Sequence, residues 1–102
     1  MTKFCVGSER LEVSNGAKVE LKYYILKQEK FYAELNESYI SYGLEIEKNE
    51  KDFCERDFVE DITCDSEIID FMSCKLKENK VLPVHLKDVV IDMLSWKRKE
   101  ID

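Results

Sequence analysis

The chain has one histidine, and its neighbours pose the first chemical question. His85 precedes Asp88 by three residues and Asp92 by seven, so on a helix the three share one flank. An imidazole oriented by a carboxylate can act as a general base, and such a set can also hold a metal. Against the metal, no second His or Cys lies at ligand spacing. The plainer reading leaves His85 partly exposed in a first helical turn, with Asp88 and Asp92 on the solvated side. Glu45 and Glu47 alternate along one strand, beside Tyr39 and Ser41. Two carboxylates so placed can bind a cation or divide acid and base roles. The competing reading is a wet sheet face, the ordinary product of antiparallel alternation. A small-molecule site is expected, if anywhere, near Tyr42, Glu45, His85 and Asp88.

Four cysteines stand at positions 5, 54, 64 and 74, with no C-x-x-C pair and no zinc-ribbon spacing. Without a secretory signal they are expected to be free thiols, mostly buried as small hydrophobes. Cys64 lies just ahead of a helix start, where free backbone N–H groups favour a thiolate. Glu60, Asp61, Asp65 and Glu67 surround it with negative charge, which speaks against reactivity. A packing role against Ile69 accounts for it better.

Tyr24, Phe31, Tyr32, Tyr39 and Trp96 fall outside the apolar stripes of the elements assigned below. Tyr and Trp are enriched at binding hot spots, so Tyr24, Phe31, Tyr32 and Tyr39 are candidates for a partner surface. Their alternative is packing beneath an irregular segment. The sequence has no Gly-rich phosphate loop, G-x-S-x-G elbow, H-E-x-x-H or dinucleotide fingerprint. No catalytic residue, metal or cofactor is therefore assigned, and an enzyme is not the expected reading.

Elements that could position these residues follow from periodicity. Val19, Leu21, Tyr23 and Ile25 alternate with polar residues, a period-2 strand. Arg10 to Val13 precedes it through Ser14-Asn15-Gly16, whose Asn-Gly pair suits a type I′ hairpin turn. Apolar parity flips around Gly7, from Phe4 and Val6 to Leu11 and Val13, so a bulge or break is expected there. Ile40, Tyr42, Leu44 and Ile46 form a third strand, and Phe53 to Ile62 a fourth. Asp65 is placed to cap a helix carrying Ile68, Ile69, Met72 and Leu76, with Asn79 ending it. Pro83 opens a second helix striped by Leu86, Val89, Val90, Met93 and Leu94. Residues 28–38 fit neither period: a loop, a short strand or a helical turn.

The expected architecture is α+β, with an antiparallel sheet of about four strands followed by two C-terminal helices packed on one face. This two-layer sandwich is read as one domain over 1–102, with strands within 1–62 and helices at about 65–78 and 83–98. At 102 residues, 44% hydrophobic and 37% charged, the chain is globular in composition. Its net charge of −6 is uneven: twelve acids and five bases fall in residues 45–78. That acidic third would repel a duplex or an anionic membrane, so neither is an expected partner. It also admits a different reading, an acidic decoy for another protein's nucleic-acid site. The start lacks a secretory h-region and no run of 18 apolar residues occurs, so a cytoplasmic location is expected.

Two stretches resemble a known family. They are Ser41-Tyr42-Gly43-Leu44-Glu45-Ile46-Glu47 and Asn79-Lys80-Val81-Leu82-Pro83-Val84-His85-Leu86-Lys87-Asp88-Val89-Val90. With the strand and helix between them they resemble a small uncharacterised family, a domain of unknown function from spore-forming, low-GC Gram-positive bacteria. The likeness covers roughly residues 17–95. It implies a bacterial source and a fold but no activity. The function expected is a non-catalytic interaction or regulatory module that binds a protein partner or itself. A small-molecule-binding domain or small enzyme is the main alternative.

Overall fold

A computed structural model describes residues 1–12 and 16–101, with only the backbone given over 96–101. Strands β1 (Thr2–Glu12), β2 (Lys18–Tyr32), β3 (Glu37–Glu50) and β4 (Phe53–Thr63) form one antiparallel sheet in sequential order. Helix α1 (Ser66–Glu78), a 3-10 turn over Pro83–His85 and helix α2 (Leu86–Ile101) follow. The α+β class and the sheet-then-helices order match the sequence expectation. The predicted turn at Ser14-Asn15 lies outside the described residues, as does Trp96 beyond its backbone.

Alternation decides which side of the sheet is covered. Val19, Leu21, Tyr23 and Ile25 of β2 and Leu44 and Ile46 of β3 are buried. They form one cluster with Ile69, Met72 and Leu76 of α1 and Leu86 and Val90 of α2. The helical set recurs every three or four residues, one stripe toward the sheet. α1 lies across all four strands, whereas α2 packs against β4. Tyr23, fully buried at the sheet centre, donates its hydroxyl proton to the Val81 carbonyl at 3.1 Å. That bond ties the sheet to the segment joining the helices.

The helix ends behave as their residues dictate. Asp65 caps α1, its Oδ1 accepting from the Glu67 and Ile68 backbone N–H groups at 2.9 and 3.4 Å. At the other end, Val81 N–H donates to Leu76 O and Lys80 N–H to Lys77 O, a Schellman pair. Lys80 holds the left-handed position there, with φ of 51°.

Two irregularities shape the sheet. The β1–β2 register shifts between Cys5 and Gly7, so of the bulge or break expected there it is a bulge, which returns Phe4 and Leu11 to the same face. The second shift lies between Tyr42 and Leu44 against β4. A Cβ on Gly43 would stand 2.9 Å from Glu60 Cα and closer still to Val59 O, so only glycine admits this approach of β4. Asp61 follows with φ of 55°.

Strand lengths carry the main surprise. β1 pairs only with residues 18–27 of β2, and β4 only with residues 42–50 of β3. Residues 28–32 and 37–41 pair with each other alone, with Lys30 opposite Tyr39 and Tyr32 opposite Glu37. The segment that fits neither period is thus a two-stranded ribbon running on past both edge strands for about 17 Å. It fits no period because residues 31–38 are exposed on both faces.

Candidate functional site

The ribbon carries Phe31 and Tyr32 among the exposed aromatics, while Phe4, Phe53, Phe58 and Phe71 are exposed singly on β1, β4 and α1. Phe31, Tyr32 and Leu35 are 64%, 46% and 64% exposed. Alternation turns Phe31 to the helix side, past the helices, and Tyr32 to the open side of the sheet. Tyr39 shares the open side, diagonal to Tyr32 across the ladder, and is half-buried. Tyr32, Leu35, Tyr39, Glu37, Asp61 and Cys64 line a depression of about 530 Å³ where the ribbon meets the end of β4. The bulge at Gly43 puts Asp61 in that wall, its Oδ1 hydrogen-bonded by the Ser41 hydroxyl and its Oδ2 3.9 Å from Lys30 Nζ.

Tyr24 lies apart from the other three aromatic candidates. It sits in the sheet proper, opposite Glu45, and the Lys3 ammonium stands 4.2 Å above its ring. Burial, then the Glu47 charge, pushes its phenol pKa upward.

Glu45 corrects the expectation of a wet outer face. It is 5% exposed. Lys3 reaches across β2 to pair with its Oε2, and Arg56 Nε lies 3.9 Å from Oε1. Leu26, 4% exposed on the same face, sits beside them with Phe58 around a depression of about 300 Å³. The Lys3 stem thus covers apolar surface while its head neutralises the carboxylate. Pairing with Glu45 holds the Lys3 ammonium above its usual pKa range. The arrangement straps β1 to β3 and β4 on the open face.

The residues expected to share a small-molecule site do not share a face. Tyr42 packs against the helix-side core, and Glu45, three residues on, points to the other side of the sheet. His85 and Asp88 are exposed, and the His85 backbone N–H donates to Leu82 O at 3.0 Å. Among the described residues, no group of three His, Cys, Asp or Glu side chains could hold a metal ion. No described helix is long and apolar enough to cross a membrane.

The cysteines also depart from expectation. All four are free thiols, but all four are exposed rather than buried. Cys5 and Cys54 sit on edge strands, where half of each ladder lacks a neighbour. Cys64 lines the ribbon depression instead of packing under α1. The acidic third of the sequence forms no single face. Glu45 and Glu47 lie on the open side, Glu55 and Asp57 on the helix side, and Glu67 and Asp70 on α1. The decoy reading loses its support with that.

The sequence left the ribbon and the Lys3–Glu45 pair unread. A signal for the ribbon was present: Phe31-Tyr32 and Tyr39-Ile40 flank the turn at Asn36, whose φ is 51°. Comparison with known proteins adds a family and no activity. Nothing among curated proteins or solved structures matches the chain. One family pattern matches, described as a family of unknown function, DUF6514, over residues 2–96. The chain therefore belongs to DUF6514.

Proposed function

We propose that this protein is a non-catalytic interaction module of a bacterial cytoplasm, and that it engages a protein partner through the ribbon of residues 28–41. The observation that carries this reading is the exposure of Phe31, Tyr32 and Leu35 on a segment whose ladder no third strand joins among the described residues. A two-stranded ribbon standing free is marginal in water, and its apolar side chains gain from being covered. Rigid aromatics there offer contact area at low entropic cost.

The small-molecule alternative has less support, because Tyr42 and Glu45 point to opposite sides of the sheet. Self-association through the ribbon is one form of the same proposal. The test is affinity purification from lysate of the source organism after mild cross-linking, with wild type and a Tyr32→Ala, Tyr39→Ala variant. A stoichiometric partner, held by wild type and lost by a variant with unchanged circular dichroism, supports the reading. A partner retained equally by both, or no partner together with a bait that stays monomeric in the cross-linked sample, overturns it.

A further inference from the structure

We propose that the segment received by the ribbon depression is a basic–apolar stretch of a protein, one that presents Lys or Arg next to an apolar side chain. This rests on the reading of the ribbon as an interaction surface and specifies the chemistry of what it binds.

The argument starts from what must be desolvated together. Tyr32, Leu35 and Tyr39 supply the apolar area of the depression, and the carboxylates of Glu37 and Asp61 stand among them. Glu37 faces Tyr32 directly across the ladder and has no ion pair among the described residues. Glu34 adds a third carboxylate, its Oε2 3.5 Å from the Tyr32 hydroxyl. Asp61 is 51% exposed, and Lys30 Nζ stands 3.9 Å from its Oδ2. No partner can cover the three apolar side chains without also drying Glu37 and Asp61.

A neutral partner would bury Glu37 without a counter-ion and leave Asp61 only the Ser41 hydroxyl and Lys30 at 3.9 Å, a cost set against the apolar gain. An acidic segment or a nucleic-acid backbone would add repulsion. A Lys or Arg head satisfies the carboxylates and rests against the tyrosine faces, which attract cations. The neighbouring apolar side chain then covers Leu35.

The test is selection of displayed random peptides on immobilised wild-type protein, followed by binding of the winners to two variants. The first is Glu37→Gln with Asp61→Asn. Asparagine accepts the Ser41 hydrogen bond and tolerates the positive φ at position 61, so the fold is kept while both charges go. The second is Tyr32→Ala with Tyr39→Ala. Winners should pair Lys or Arg with an apolar residue, bind more weakly in high salt, and lose about tenfold in affinity on the charge variant. Winners without basic residues, or binding indifferent to the charge variant but dependent on the tyrosines, would overturn this inference alone. Absence of winners, or binding indifferent to both variants, would overturn the interaction reading with it.

Discussion

The hydroxyl of Tyr23 provides a quantitative test of how the two layers are joined. It is fully buried beneath α1 and donates to Val81 O at 3.1 Å. Burial first, and the charge of Glu9 second, push its pKa from 10.0 up to about 12. The sign follows directly. A raised folded-state pKa favours the protonated form, so the stabilisation is complete below pH 10 and disappears as pH rises toward 12. At 1.36 kcal/mol per tenfold change in proton affinity, the loss is about 3 kcal/mol. Tyr23→Phe removes both the bond and the titration. At neutral pH it should cost about 1–2 kcal/mol, because the Val81 carbonyl loses its partner. Above pH 10 wild type alone loses the Tyr23 contribution, so the two stability curves should cross near about pH 11. Urea unfolding followed by far-UV circular dichroism at several pH values measures both curves, and lysine and other tyrosine titrations cancel in the difference. A gap that stays constant from neutral to alkaline pH, or a Tyr23→Phe variant as stable as wild type at neutrality, would refute the reasoning.

Other consequences can be checked with the same denaturation assay or simpler ones. Gly43→Ala forces a Cβ against Val59 O and Glu60 Cα, so it should destabilise by about 2–3 kcal/mol. Lys80→Gly relieves the left-handed backbone at the end of α1 and should stabilise by about 0.5–1 kcal/mol. Lys3→Met leaves the Glu45 carboxylate buried beside a distant Arg56 and should cost about 2 kcal/mol. Arg56→Ala, by contrast, removes a side chain 57% exposed and should cost no more than about 0.5 kcal/mol. All four cysteines should react with a thiol reagent in the native protein without denaturant, and protection of two or more would contradict their exposure.

The parts of the fold that rest on local rules were legible. Period-2 runs located three strands, the parity flip at Gly7 located a bulge, and Asp65 located the start of α1. Asn79 ended that helix as expected, although the sequence did not reveal that Lys80 would take the left-handed position. What stayed hidden depends on neighbours across the sheet. The burial of Glu45 requires the Lys3 stem to cross β2, a contact spanning 42 positions that no periodicity records. Residues 28–38 were unreadable for a related reason. Alternation signals that one face is buried, and here residues 31–38 are exposed on both faces. Free thiols followed from spacing and redox reasoning, but their exposure depends on edge positions that strand order alone determines. Candidate site residues were half legible. Tyr32 and Tyr39 share the depression at the ribbon and Phe31 lies on the ribbon's other face, while Tyr24 belongs to the Lys3–Glu45 strap and Tyr42 to the core.

The most direct test of the ribbon as the docking surface is photo-cross-linking in the source cell with a benzophenone amino acid. It would replace Tyr32 or Leu35 in one set of cells, and Val84 or Ile91 in another. Val84 and Ile91 are equally exposed apolar positions, 67% and 61%, but stand on the helical layer. The account predicts one discrete cross-linked species from positions 32 and 35 and none from 84 and 91. Cross-links confined to positions 84 and 91, or equal at all four, would contradict it.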